Sequence, residues 1–322
     1  MIKIGFIGAG AIGSLFGGCL ANIKEKKVKL TLFCTTKHAN AIKKHGLRIK
    51  RDKEIIVVKN IEVYDKSINY SFNNALNFDY LFLSTKTYDI EQAMIQYIEI
   101  IKNSKWLIIL QNGLGNEDLI KEYVDKKKIM RIITSHGAIV SKPGCILHTG
   151  KGFTYIGFPY SNNVEKDPTL FQKALADIRE LNSILNYAHF DSNIENNILI
   201  KTWQKAIVNI GINAIGALTR LNNGKLLERE ILRDLLDQTI KEAVNVAQKM
   251  NIILSYDDCI TLAHSVAEKT YNNKNSMLQD VLKGRRTEID FLNGKIVKLA
   301  ENLTIKVPVN KILTTLIKGL EN

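Results

Sequence analysis

An α/β fold with a helix-covered parallel sheet, followed by an all-α domain, is predicted by three observations. The first half of the chain alternates short β-rich runs with helical stretches. A glycine-rich turn lies directly between the first strand and the first helix. Strand signals then stop near Ser192, and helical periodicity continues to the end. A chain of 322 residues suits two domains at about 100–200 residues each. The change of pattern at Ser192–Asn193 divides it into residues 1–192 and 193–322.

In chain order, Ile2–Ile7, Lys29–Phe33, Tyr80–Ser84, Trp106–Leu110 and Arg131–Ser135 read as buried strands. Each is a short apolar run bounded by turn signals. Helical patterns between the earlier ones give the βαβ alternation of a parallel sheet buried on both faces. Phe153–Gly157 reads as another strand, followed by a helix over Pro168–Leu185 and a short strand near Tyr187–Phe190. Long helical patterns then cover Ile194–Ala217, Leu226–Lys249, Tyr256–Tyr271 and Glu288–Asn302.

An apolar fraction of 45% and a charged fraction of 24% are those of a soluble globular protein. No apolar run approaches the ~18 residues that span a bilayer, so no membrane association is expected. Met1-Ile-Lys-Ile-Gly-Phe-Ile-Gly starts as a strand with no cleavage-site pattern after it, which makes the cytoplasm the expected location. Cys19, Cys34, Cys145 and Cys259 are scattered, without a CxxC pair or a histidine at zinc-ligand spacing. They are expected to be buried reduced thiols, and no metal is expected. The net charge of +13 is spread along the chain without a basic tail or an aromatic-interleaved patch. Nucleic-acid binding is therefore not expected, whereas an anionic small substrate and a phosphate-rich cofactor suit the surplus.

Gly8-Ala9-Gly10-Ala11-Ile12-Gly13 follows the first strand and opens a helix read from Ser14 to about Ile23. Gly8 permits the tight turn, Gly10 lets backbone approach a pyrophosphate, and Gly13 lets helix and strand pack closely. The helix N-terminus then offers N–H groups to the phosphates. Strand first and helix after, this is the signature of a Rossmann-type domain binding a nicotinamide dinucleotide. A site for NAD usually has an acid at the end of the second strand. Here that strand ends Phe33-Cys34-Thr35-Thr36-Lys37-His38. Two hydroxyls and a lysine suit a 2′-phosphate better, so Thr35 and Lys37 predict NADPH (NADP+) over NADH.

In the second domain, Lys205, Asn209 and Asn213 are spaced i, i+4 and i+8, which on a helix makes one polar stripe. Trp203, Ile207, Val208, Ile210 and Ile212 surround it. Such a helix is expected to be buried and to present its stripe to a cleft. Further on stand Asn273-Lys-Asn275-Ser276 and Thr287-Glu288-Ile-Asp290. On one unbroken helix Ser276 and Glu288 would lie ~120° and ~18 Å apart. Gly284 and the cap-like Thr287-x-x-Asp290 predict a break that brings both to one site. His136 and His148 lack an acid or nucleophile in a recognisable arrangement and read as loop or strand-end residues. Lys306-Val-Pro308-Val-Asn310 reads as a turn before a final helix.

These motifs together resemble the ketopantoate reductase (2-dehydropantoate 2-reductase) family over essentially the whole chain. The resemblance rests on GFIGAGAIGSLFGG, Leu83-Ser-Thr-Lys86, Gln111-Asn112-Gly113-Leu-Gly115-Asn116 and Trp203-Gln-Lys205 with Asn209 and Asn213. It continues in Ser276-Met-Leu-Gln-Asp280, Arg286-Thr-Glu288-Ile-Asp290 with Asn293-Gly294, and Val307-Pro308-Val-Asn310. The resemblance implies reduction of 2-dehydropantoate to (R)-pantoate with NADPH, a step toward pantothenate and coenzyme A. It implies that Lys205 is the general acid and that Glu288 helps hold that lysine and the substrate. Asn209, Asn213, Asn273 and Ser276 would bind the substrate, while Lys86 and Asn112 would bridge cofactor and substrate. Many relatives carry an arginine where this chain has Thr35, which places the NADPH preference on Lys37.

The chemistry agrees with those roles. Hydride addition to a ketone builds negative charge on oxygen, which a positively charged donor stabilises while supplying the proton. Acid and cofactor would come from different domains, so the reaction would require the cleft between them to close. Two alternatives remain at this point: a paralogous reductase of another small 2-oxo acid, and a dinucleotide-binding sensor without chemistry. A homodimer is expected on general frequency alone.

Overall fold

The computed structural model describes residues 1–51, 54–65 and 76–321. The chain divides into two compact units, one of residues 1–111 with 116–198, the other of residues 112–115 with 199–322.

The first unit holds strands β1 (Ile2–Ile7), β2 (Val28–Cys34), β3 (Leu47–Arg51), β4 (Glu54–Val58), β5 (Glu62–Asp65) and β6 (Tyr80–Leu83). It continues with β7 (Trp106–Ile109), β8 (Ile129–Thr134), β9 (Gly137–Lys142), β10 (Cys145–Gly150), β11 (Thr154–Gly157) and β12 (Ser192–Ile194). Eight of them form one sheet in the order β12-β11-β8-β7-β6-β1-β2-β5. Its strands are parallel except where β11 runs against β8. Alternate residues of each central strand enter separate apolar clusters. Ile4, Phe6, Leu30, Leu32 and Phe82 lie on one side, and Ile7, Phe33, Leu81, Leu83 and Ile109 on the other. Burial on both faces is why these strands read as continuous apolar runs. The order reverses at β1, between β6 and β2, and ligands bind open α/β sheets at such a switch point, beyond the carboxyl ends of the strands.

Helix α1 (Ala11–Ala21) follows β1, and α2 (Thr36–His45) follows β2. The others of this unit are α3 (Ile90–Gln96), α4 (Ile98–Asn103), α5 (Asn116–Ile120), α6 (Ser161–Glu165) and α7 (Pro168–Tyr187). Asp167 caps α7 by accepting from the Leu170 N–H, and Pro168 occupies its first turn, where a missing N–H costs nothing.

Three features depart from the sequence reading. β3, β4, β9 and β10 form a second sheet in the order β4-β3-β10-β9, packed on α1 so closely that a side chain at Gly18 would strike Ile49 and Leu47. Second, Tyr187–Phe190 is not a strand: α7 runs through Tyr187, His189 and Asp191 turn the chain with positive φ, and β12 follows. Phe190 is apolar because it is a core residue, stacked on Phe16 at 3.9 Å. Third, pairing of β12 with β11 keeps the chain in the first unit past Ser192 and delays the next helix to Ile198.

The second unit is helical: α8 (Ile198–Thr219), α9 (Glu230–Lys249), α10 (Tyr256–Lys269), α11 (Ser276–Leu282), α12 (Asn293–Asn302) and α13 (Pro308–Lys318). Its core gathers Ile207, Ile210, Ile240, Val244, Leu278, Ile289, Ile296 and Ile317. Buried amides run through that core. Asn293 donates to the Ile210 carbonyl at 3.2 Å and to Asn310 Oδ1 at 3.0 Å. Asn310 in turn donates to the Thr239 carbonyl and to Glu242. These links fix α8, α9, α12 and α13 in register. Among the described residues, no helix is long and apolar enough to cross a membrane, and no cluster of side chains could hold a metal ion.

Candidate functional site

The glycine-rich turn sits at the carboxyl end of β1. Gly8 takes φ +79, and a Cβ there would strike Thr85, which makes glycine obligatory. The Gly8 and Ala9 N–H groups both donate to the Phe33 carbonyl, at 3.0 and 2.9 Å, pinning the turn to β2. A Cβ on Gly10 would meet only the Gly8 carbonyl oxygen at 3.8 Å, so open space lies over this position. A Cβ on Gly13 would collide with the Ser84 hydroxyl, so α1 approaches the end of β6 at this point. α1 starts at Ala11, within the motif rather than at Ser14, because Gly10 is its N-cap. The first intrahelical bond runs from Ser14 N–H to Gly10 O at 3.0 Å. The N–H groups of Ala11, Ile12 and Gly13 therefore have no intrahelical acceptor and bring the positive end of the helix to the turn. Open space over a glycine and a row of backbone donors fit the pyrophosphate of a dinucleotide.

Beyond β2, Thr35, Thr36 and Lys37 are exposed at the start of α2. Thr35 is its N-cap residue, yet its hydroxyl makes no capping bond. Lys86, half-buried, precedes the short helical turn Thr87–Asp89 that follows β6.

In the second unit, Lys205, Asn209 and Asn213 lie on the single helix α8 as their spacing requires. Lys205 and Asn209 are half-buried and Asn213 is 4% exposed. Lys205 Nζ donates to Asn112 Oδ1 at 2.6 Å. The short segment around Asn112 is also held by Leu114 N–H, which donates to the Phe291 carbonyl at 2.9 Å. Gly113, at φ +87, leaves no room for a Cβ against that same residue. Phe291 N–H donates back to the Glu288 carbonyl at 3.0 Å, and Glu288 is 9% exposed. Residues 112–115 thus connect Lys205 to the turn that begins at Glu288.

The break between Ser276 and Glu288 is present: α11 ends at Leu282, and Gly284 has φ +58. Asn275 caps α11 by accepting from the Leu278 N–H at 2.9 Å, and its amide nitrogen abuts Gly216 of α8. That contact brings the start of α11, whose first residue is the exposed Ser276, against α8 at Gly216. The capping motif differs from expectation. Thr287 Oγ1 accepts from Ile289 N–H and donates to Glu321, while Asp290 pairs with Lys318 at 2.6 Å. The helix read over Glu288–Asn302 accordingly begins only at Asn293, after a short 3-10 turn over Ile289–Phe291.

Asn273 is exposed, and its carbonyl accepts from the Asn223 N–H at 3.0 Å. Asn223 itself escaped the sequence reading because Asn222-Asn223-Gly224 looks like an ordinary turn. It is 7% exposed, its Nδ2 donates to Thr270, and its Oδ1 has no hydrogen-bond partner. His136 lies in the two-residue connection between β8 and β9 and His148 near the end of β10, as read, but both are buried, with His136 Nδ1 facing His148 Nε2 at 3.0 Å. Three of the four thiols are buried as expected, whereas Cys145, at the start of β10, is only half-buried; burial pushes Cys19 and Cys259 up to about 11 and Cys34 up to about 12, away from thiolate chemistry.

Comparison with known proteins adds to this geometry. Residues 4–160 match the family described as ketopantoate reductase PanE/ApbA, and residues 197–321 match its C-terminal domain. The 2-dehydropantoate 2-reductase of Pyrococcus abyssi is 37% identical over 322 residues, covering 99% of this chain and 98% of its own. That of Archaeoglobus fulgidus is 30% identical over 320 residues, covering 99% and 98%. Among solved structures, a PanE/ApbA family ketopantoate reductase from Ralstonia eutropha JMP134 superposes with a TM-score of 0.82 at 26% identity, covering 99% of this chain and 98% of that one. A D-mandelate dehydrogenase bound to NADH and anilino(oxo)acetate superposes with a TM-score of 0.85 at 24% identity and the same coverage, a likeness of fold.

Proposed function

The chain belongs to the ketopantoate reductase PanE/ApbA family, and from that premise we propose that it reduces 2-dehydropantoate to (R)-pantoate with NADPH. The observation that carries the chemistry is the 2.6 Å bond from the Lys205 ammonium to Asn112, on a helix whose polar stripe continues through Asn209 and Asn213. The reduced nicotinamide, when bound, supplies a hydride to the carbonyl carbon. As the carbonyl π bond breaks, charge collects on its oxygen. Lys205 stabilises that charge and donates its proton there, leaving an alcohol and a neutral amine that regains a proton from solvent. Asn112 and Glu288 hold the lysine, since an ammonium has three donors and only one goes to the substrate. Asn209, Asn213, Asn273 and Ser276 bind the hydroxyl and carboxylate of the substrate.

The residues Gly8 to Gly13 and the first turn of α1 hold the pyrophosphate, and Lys86 contributes from the end of β6. Thr35 and Lys37 receive the 2′-phosphate, because no acid ends β2 and Lys37 is an exposed cation there. The family and the placement of Lys205 make a catalyst the better reading than a sensor. The test is turnover of 2-dehydropantoate against a panel of small 2-oxo acids, each with NADPH and with NADH. The highest kcat/KM for 2-dehydropantoate with NADPH supports the assignment. A preference for another 2-oxo acid overturns the substrate, and equal use of the two cofactors overturns the 2′-phosphate reading.

A further inference from the structure

His38 lies one residue beyond Lys37, but unlike Lys37 it points inward and is 6% exposed. Its two ring nitrogens meet two different elements. Nδ1 faces the Gly144 N–H at 3.0 Å, in the turn between β9 and β10. Nε2 faces Ser14 Oγ at 3.1 Å, and Ser14 is wholly buried in the first turn of α1. Ser14 Oγ donates to the Ala9 carbonyl at 3.0 Å.

Hydrogen accounting allows one arrangement. The Gly144 N–H can only donate, so Nδ1 must be the bare acceptor and a neutral ring carries its proton on Nε2. The Ser14 hydroxyl spends its hydrogen on Ala9, so it accepts from that Nε2–H. The relay therefore runs Gly144 N–H to His38, His38 to Ser14, and Ser14 to Ala9, each group used once. Burial lowers the His38 pKa, which keeps the ring in the neutral form that the relay needs.

We propose that His38 is a positioning residue for the cofactor: through Ser14 it sets the Ala9 peptide of the glycine-rich turn, and through its own helix it ties that turn to Lys37. Ala9 is then held at both ends, its N–H by Phe33 and its carbonyl by Ser14. The Ala9–Gly10 peptide borders the open space over Gly10, so its orientation shapes the surface that a pyrophosphate meets. The other contact seats α2: Gly144, at φ +74, lies so near that a Cβ there would come within 3.1 Å of the Ala41 side chain. One imidazole thus couples the phosphate-binding turn of α1 to the helix start that would receive the 2′-phosphate. The proposal rests on reading this turn as the dinucleotide site and is independent of the role of Lys205.

The experiment measures NADPH affinity by fluorescence titration, together with Tm, for the wild type, His38→Leu, His38→Gln, His38→Asn and Ser14→Ala. A glutamine amide reaches the Nε2 position and can still donate to Ser14, whereas asparagine reaches only the Nδ1 position. The expected result is a loss of about tenfold in affinity for the Leu, Asn and Ser14 variants, the scale of one broken buried hydrogen bond. The Gln variant is expected to stay within about threefold of wild type by the same reasoning. In steady state, KM for NADPH rises while KM for the 2-oxo acid holds. Wild-type affinity in His38→Leu, or losses in Gln and Asn that merely follow Tm, would overturn the proposal. A wild type that binds neither NADPH nor NADH would overturn the cofactor reading beneath it as well.

Discussion

Lys205 Nζ donates to Asn112 Oδ1 across 2.6 Å, although the two residues stand 93 positions apart in sequence. They belong to the same compact unit, which residues 112–115 join while their neighbours on both sides belong to the other. A hydrogen bond to a charged group contributes about 1.5–3 kcal/mol. Asn112→Ala is therefore expected to lower kcat/KM by roughly 10- to 100-fold with Tm little changed. Asn112→Asp places a carboxylate against the ammonium and raises its pKa. The alkaline limb of the pH–rate profile, which under the proposed mechanism reports loss of the Lys205 proton, is then expected to move to higher pH. A limb at the wild-type position in that variant would show that Asn112 does not touch the titrating group.

Lys37 tests the cofactor preference. Lys37→Ala removes the exposed cation at the start of α2 and is expected to raise KM for NADPH about tenfold, the worth of one charge-assisted bond. KM for NADH is expected to stay as in the wild type. Equal changes for both cofactors would mean that the lysine acts on something other than the 2′-phosphate.

Gly13 and Ser84 form a steric pair. A Cβ on Gly13 collides with the Ser84 hydroxyl, so Gly13→Ala is expected to cost about 1–3 kcal/mol by overpacking and to weaken cofactor binding. Ser84→Ala removes the colliding oxygen, and the double variant should recover part of the loss. Thermal unfolding of the four proteins gives the coupling directly; strict additivity would deny the contact.

How much of this could be read in the sequence depends on the range of the forces involved. The turn from Gly8 to Gly13 is legible because a positive φ and two close approaches can be met only by glycine. The stripe on α8 is legible because helical periodicity is local. The second sheet is not, because β3 pairs with β10, nearly a hundred residues away, and the alternation of inward Leu47 and Ile49 with outward Arg48 and Lys50 is too short to mark a strand by itself. Nor is the allegiance of Asn112, which depends on Phe291. Asn293 and Asn310, quoted as family motifs, prove to be core amides bonded to each other, so recurrence of a motif did not by itself separate scaffold from site.

Acid should weaken the fold through its buried histidines. Burial lowers the pKa of His136 from 6.5, with Arg51 acting the same way and the Phe190 carbonyl and Asp191 opposing; burial also lowers that of His38 from the same value. The unfolded chain then binds protons that the folded one refuses, so stability rises with pH across this window. It is complete above the unfolded value and is lost as pH falls below 6.5 toward the lowered folded values. His136→Asn is expected to flatten part of that loss in a Tm-versus-pH series. An unchanged slope would place the acid sensitivity elsewhere.

The central claim is that Lys205 delivers the proton, and single-turnover NADPH oxidation by Lys205→Ala with 2-dehydropantoate tests it most directly. The expected result is a fall in the hydride-transfer rate of ~10² or more, the scale of losing a general acid, with NADPH affinity unchanged and partial recovery on adding a small alkylammonium ion. A variant that transfers hydride at the wild-type rate would contradict the account.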